Sequence, residues 1–219
     1  MTGRSYKIDG ERYPSVTTIL SMLEKSGLAH WRGAVGNAEA DRISKEATDY
    51  GTAIHALVEV VNRGQRCQLD SEERTYVAPY VEWFDEHVST CVAAEKLLVS
   101  RQFKYAGTTD AIVVMRGDLT AAIVDFKSSK TDLAQREWAL QTAAYALAAE
   151  EEGIEISRRI IVRIPKSQPD KLFLTEFPED ELLEDQRAFL AALKIWRWHE
   201  LRGPVKRPLG PRIRFGERK

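Results

Sequence analysis

The segment from residue 105 to residue 127 constrains the fold of this chain more than any other. Ala111-Ile112-Val113-Val114-Met115 is an apolar run rich in β-branched residues, and Arg116-Gly117-Asp118 interrupts it as a tight turn. Leu119-Thr120-Ala121-Ala122-Ile123-Val124 then brings the chain back, so the segment reads as a β-hairpin. An acid stands at each open end of it. Asp110 closes Tyr105-Ala106-Gly107-Thr108-Thr109-Asp110, and Asp125 follows Val124, fifteen residues after Asp110. Alternate residues of a strand share a face, so Asp125 and Lys127 point one way and Phe126 the other. The hairpin therefore predicts two carboxylates and an ammonium gathered at one sheet edge. Two carboxylates hold a hard divalent cation, and a neighbouring lysine steadies a water or a developing negative charge. That chemistry suits phosphodiester hydrolysis. The competing reading is a solvated cross-strand pair between Lys127 and Asp125, worth little. Apolar Ile123, Val124 and Phe126 argue for the site, because a partly buried carboxylate without a cation is costly.

The rest of the chain divides into two patterns. A helix is expected from Pro14, a good first-turn residue, through Val16-Thr17-Thr18-Ile19-Leu20. A second is expected over 28–45, with Thr48-Asp49-Tyr50-Gly51 as punctuation before a third over 52–61. Leu69-Asp70-Ser71-Glu72 reads as the cap of a fourth, carried by Tyr76, Tyr80, Trp83, Phe84 and Val88 at helical spacing. Beyond it the period changes. Strands are expected over 92–99, 110–115 and 120–126, an alanine-rich helix over 132–151, strands over 156–164 and 172–177, and a closing helix over 179–201. The expected class is α/β with a mixed sheet and a helical N-terminal extension. It forms one domain over 1–219, in which 1–90 is helical and 91–178 carries the sheet.

Further residues qualify for the site. Glu95 lies in the apolar run 92–99, fifteen residues before Asp110, and is either a third carboxylate or an outward-facing strand residue. In Gly51-Thr52-Ala53-Ile54-His55 the glycine, one helical turn before the histidine, permits a close approach. His55 and Glu59 share a helix face, as ligands or as structural residues. Gln141 and Tyr145 are likewise four residues apart, placing two hydrogen-bonding tips together for a phosphate or nucleotide, or simply at a helix edge. Ser128-Ser129-Lys130-Thr131 offers phosphate donors or an ordinary loop. Trp83, Phe84, Trp196 and Trp198 read as packing residues rather than base-stacking platforms.

Composition sets limits on function. The formal net charge is −1, so no global basic signature marks a polyanion partner. Residues 202–219 nevertheless hold seven basic side chains against one acid, and 203–219 reads as a phosphate-contacting arm or a solvated terminus. Cys67 and Cys91, the two cysteines, have no metal-ligand spacing, which argues against a disulfide framework, a zinc site or an iron–sulfur cluster. No apolar run has transmembrane length and no signal-peptide core is visible, so a cytoplasmic protein without membrane association is expected.

Taken in order, Gly51 and His55, Glu95, Gly107 and Asp110, Asp125 and Lys127, and Gln141 and Tyr145 resemble the motif series of the PD-(D/E)XK nuclease superfamily, in its RecB-like branch. Residues 13–20 also resemble the start of stand-alone phage and mitochondrial members. The resemblance implies a restriction-endonuclease-like αβββαβ core. It implies that His55, Asp110, Asp125 and the Phe126 carbonyl ligate Mg²⁺ or Mn²⁺. Lys127 would orient the attacking water, Glu95 would assist metal or water, and Gln141, Tyr145 and Ser128 would face the substrate. The implied activity is a metal-dependent DNA exonuclease acting on ends or single strands in recombination, replication or repair. A structure-specific endonuclease and a catalytically silent DNA-binding module are the alternatives. The chain lacks the extra cysteines that hold an iron–sulfur cluster in some relatives. It is too short for an attached helicase, so strand separation would come from a recombination or single-strand-binding partner.

Overall fold

The predicted hairpin is the centre of a five-stranded sheet. The structure, a computed structural model, describes residues 3–23, 26–65, 70–128 and 136–202. It opens with an antiparallel pair, β1 (Ser5–Ile8) and β2 (Glu11–Pro14), where the sequence suggested the start of a helix. Asp9 and Gly10 join the two strands with φ of 49° and 84°, the left-handed values that a tight hairpin turn requires. Helix α1 (Val16–Leu20) begins only after Ser15, whose hydroxyl accepts the Thr18 N–H at 3.0 Å.

Next come α2 (Ser26–Val35) and α3 (Asn37–Asn62), divided by Gly36 at φ 83° rather than by Thr48-Asp49-Tyr50-Gly51. The expected helices over 28–45 and 52–61 are therefore redrawn, because α3 runs straight through Gly51. An interior glycine costs a helix only about 1 kcal/mol. Tyr50, Ile54 and Val58 bury one face of α3, and Arg42–Glu46, Lys45–Asp49 and Glu59–Arg63 pair along its outer side. Helix α4 (Ser71–His87) starts from a reciprocal cap. Asp70 Oδ1 accepts the Glu73 N–H at 2.8 Å, and Glu73 Oε2 accepts the Asp70 N–H at 3.0 Å.

Strand β3 (Val88–Ser100) follows at once, then β4 (Tyr105–Met115), β5 (Ala121–Lys127), helix α5 (Arg136–Glu151), β6 (Ile156–Arg163) and β7 (Phe173–Phe177). A 3₁₀ turn (Glu179–Glu181) leads into the last helix, α6 (Leu182–Arg202). The sheet order is β3-β4-β5-β6-β7, antiparallel throughout except for β5 and β6, which are parallel and joined by α5. From α4 to β6 the elements follow the αβββαβ order of a restriction-endonuclease-like core. The expected start of α5 at 132 and the basic arm 203–219 lie outside the described residues.

Alternation along β4 and β5 divides the core between the two faces of the sheet. Ile112 and Ile123 pack with Val16, Ile19, Tyr145 and Phe189, from α1, α5 and α6. Val113, Val124 and Phe126 pack with Ile54, Val58 and Tyr80, from α3 and α4. Each buried Val, Ile or Phe contributes about 1.5–3 kcal/mol, against at most about 1 for an exposed ion pair, so these clusters fix α3 and α5 against the sheet.

Candidate active site

Asp110 and Asp125 stand where two interior strands part, and Glu95 joins them from the edge strand β3. The β4–β5 pairing runs from Val114–Ala121 to Ala111–Val124 and ends there. Asp110 and Asp125 come next in the same register. In place of a further strand-to-strand bond, the Phe126 N–H donates to Asp110 Oδ2 at 2.6 Å. The other oxygen of the carboxylate, Oδ1, is 3.0 Å from His55 Nδ1, so α3 reaches over the strand end. The His55 ring stands edge-on to Phe126, with centroids 6.2 Å apart. Glu95 lies between the pairs Ala94–Ala111 and Lys96–Thr109, across from Asp110. Its φ of 49° is a left-handed value that costs a glutamate about 1–3 kcal/mol. His55, Glu95 and Asp110 each offer a ligand atom within 4.8 Å of the others.

The second half of the site is a chain of polar groups on the α5 side. Asp125 is 2% exposed and its Oδ2 makes an ion pair with Lys127. Gln141 braces both residues. Its amide nitrogen donates to Asp125 Oδ1 at 3.1 Å and to the Tyr145 hydroxyl at 2.9 Å, and its oxygen accepts from Lys127 at 3.1 Å. Gln141 and Tyr145 are themselves buried, so what they hold in place is the Asp125–Lys127 pair. Gly107 makes this possible, since a Cβ there would lie 2.6 Å from Tyr145 Cε1 and 3.0 Å from Val16 Cγ2.

Two clefts meet at Asp110. The larger, about 730 Å³, runs along α3 past Thr48, Gly51, Thr52, His55 and Glu59 to Glu95. The smaller, about 240 Å³, holds Asp125, Lys127, Gln141 and Tyr145. Ser128 lines both, and Gly51 lets it come close, as a Cβ at 51 would stand 3.0 Å from its hydroxyl. Ser129, Lys130 and Thr131 lie outside the described residues. Glu59 lines the cleft as its helical spacing from His55 predicts, and accepts from Arg63 at 2.8 Å. The β1–β2 hairpin adds Arg4 and Tyr6, which the sequence reading missed. The Asp9-Gly10 pair between two short alternating runs is the signal that marks that hairpin. Trp83 is buried and Trp196 packs against the core, but Trp198 is exposed, with the Arg202 guanidinium 5.5 Å from its ring.

Burial governs the acid–base state of the site. It pushes the Asp125 carboxyl up to about 6 even though Lys127 opposes the rise. Burial and the charge of Asp110 push Glu95 up to about 7. Burial acts to lower His55, but the hydrogen bond and charge of Asp110 outweigh it, and the imidazole is raised. A carboxyl that holds its proton more tightly folded than unfolded loses stability as pH rises between the two pKa values. For Asp125 that window runs from 3.8 to about 6, and for Glu95 from 4.5 to about 7. Melted in EDTA, the protein is thus expected to lose the contribution of these two carboxyls as pH rises from about 5 to about 7. Asp125→Asn should flatten the slope, and a melting temperature that climbs from pH 5 to 7 would contradict the burial argument.

The donors suit a hard divalent cation. Two carboxylates and an imidazole lie within one coordination sphere's reach, and Asp125 brings a further carboxylate to the adjoining cleft. No helix among the described residues is long and apolar enough to cross a membrane.

Comparison with known proteins bears on the family. The fold resembles an alkaline exonuclease from Laribacter hongkongensis, with a TM-score of 0.41 and 13% identity over 87% of this chain and 92% of that one. Against the same exonuclease in complex with dAMP the TM-score is 0.40, with 16% identity over 74% and 86% of the two chains. No curated protein matches by sequence. The sequence profile of the PD-(D/E)XK nuclease superfamily, however, matches residues 17–203, which include His55, Glu95, Asp110, Asp125, Lys127, Gln141 and Tyr145. The chain belongs to the PD-(D/E)XK nuclease superfamily.

Proposed function

We propose that the protein is a Mg²⁺- or Mn²⁺-dependent deoxyribonuclease that works as an exonuclease on DNA ends or single strands. The observation that carries this reading is the meeting of the His55–Glu95–Asp110 cluster with the Asp125–Lys127–Gln141 chain across one strand pair. His55, Asp110, Asp125 and the Phe126 carbonyl, with Glu95 assisting, would hold the cation, which when bound neutralises charge on the phosphate and acidifies a water. Lys127, fixed by Gln141, directs its ammonium to the water and to the charge that grows on the phosphate oxygens. Gln141 and Tyr145 hold that lysine and its acid in register, and Ser128 offers a hydroxyl to the strand from the cleft wall. A place in recombination, replication or repair, alongside a strand-separating or single-strand-binding partner in the cytoplasm, belongs to the same reading.

End-labelled linear DNA and covalently closed circular DNA, incubated with Mg²⁺ or Mn²⁺, test it. Linear strands should be shortened from an end while circles survive. Nicked or linearised circles would make the enzyme an endonuclease, and intact DNA of both kinds would reject the proposal.

A further inference from the structure

We propose that Arg4, delivered by the N-terminal hairpin, forms a phosphate subsite beside the cleavage centre. It would grip a backbone phosphate next to the one being hydrolysed. This rests on the nucleic-acid reading above and names a residue outside the superfamily's motif series.

The inference comes from a charge inventory of the two clefts. Among the described residues, four acids line them, namely Glu59, Glu95, Asp110 and Asp125. Apart from His55, the cationic side chains that line them among the described residues are Arg4 and Lys127. Lys127 is committed to Asp125 and Gln141. Arg4 lines both clefts and makes no ion pair with a described residue. A polyanion entering such a site needs a positive group without an ion-pair partner, and among the described residues Arg4 offers one.

Its placement is built into the fold. The Arg4 carbonyl accepts the Ser15 N–H at 3.0 Å and the Thr18 hydroxyl at 2.8 Å, which ties the residue to the start of α1. The guanidinium lies 5.2 Å from the centre of the Tyr6 ring, and the Tyr6 hydroxyl is 3.3 Å from Thr108 Oγ1, two residues from Asp110 on β4. Stacking on a ring orders the planar fork before a ligand arrives, and that fork matches two oxygens of one phosphate. The side chain itself makes none of the bonds that hold the hairpin, so its removal should leave the fold unchanged.

The test compares wild type, Arg4→Ala and Arg4→Lys on a single-stranded oligodeoxynucleotide with Mg²⁺. Arg4→Ala should raise KM roughly tenfold with a smaller change in kcat, as expected for a lost charge-assisted contact. The dependence of log KM on log salt should flatten by about 0.7, one phosphate contact on a single strand. Arg4→Lys should restore the salt dependence but only part of the affinity. A single uncharged methylphosphonate linkage, moved along the oligonucleotide, should weaken wild type at one position beside the cleaved bond and leave Arg4→Ala unaffected there. Melting temperatures of the three proteins should agree. If wild type cleaves and Arg4→Ala keeps its KM and salt dependence, the Arg4 subsite is rejected and the nuclease reading stands. If wild type cleaves no strand with Mg²⁺ or Mn²⁺, both fall together.

Discussion

Asp125→Ala and Lys127→Ala should each reduce DNA cleavage by on the order of a thousandfold, the effect expected when a group aimed at developing charge is removed from a buried site. The two residues act as one unit. Lys127 touches Asp125 and is steadied by Gln141, so losing either leaves the other misdirected. The double variant should therefore be scarcely worse than either single one. The fold should survive, because the packing of β5 rests on Val124 and Phe126 rather than on Asp125. Burial already works against the charge on Asp125, so Asp125→Asn should match or exceed the wild-type melting temperature at neutral pH. Single-turnover rates on labelled DNA, measured beside thermal melts, decide the matter. Near-normal cleavage by either single variant would take these residues out of the chemistry.

The opposite profile is expected of Arg159. Its side chain is 1% exposed and donates to Asp185 at 2.6 Å, to the Ala139 carbonyl at 3.2 Å and to the Pro178 carbonyl at 3.1 Å. It thereby pins the first turn of α6 and the body of α5 to β6. Arg159→Ala strands the Asp185 carboxylate, 15% exposed, and should cost about 3–5 kcal/mol. For a chain of this size that lowers the melting temperature by roughly 10 °C. Replacing both partners, Arg159→Met with Asp185→Leu, should recover most of the loss, since an apolar pair leaves no buried charge unmatched. Cleavage per folded molecule should change little in either variant. A melting temperature unchanged by Arg159→Ala would show that the buried pair does not hold these helices.

These two predictions also separate what the sequence discloses from what it conceals. The strands expected over 110–115 and 120–126 are legible because apolar β-branched runs on both sides of a turn have few other uses; the earlier part of β4, from Tyr105, is not. The Asp70–Glu73 cap was legible because both partners are local. Gly51 misled, reading as a helix stop when it lies inside α3, facing Ser128, a residue brought there only by the tertiary fold. The β1–β2 hairpin was missed because four-residue strands carry a weak signal. The His55–Asp110 contact could be listed as two candidates, but only the fold shows them within hydrogen-bond distance. Arg158 and Arg159 look alike in sequence, yet one pairs with Asp118 and Glu176 at the surface and the other is a core residue. Only the sheet face to which each points tells them apart.

The parting of β4 and β5 has a consequence for how this site can change over evolutionary time. Asp110 gives one oxygen to the Phe126 N–H and the other to His55, so a single carboxylate is at once backbone partner and proposed cation ligand. Drift at this position would have to preserve architecture and chemistry in the same step, and few replacements offer both. Glu95 carries no such double duty to the sheet: it sits in a left-handed kink and could be exchanged while the neighbouring pairs Ala94–Ala111 and Lys96–Thr109 persist. Within one cluster of acids, then, Asp110 is tied to the backbone of β5 while Glu95 is not, and a change of metal preference is expected to come more readily at position 95 than at position 110.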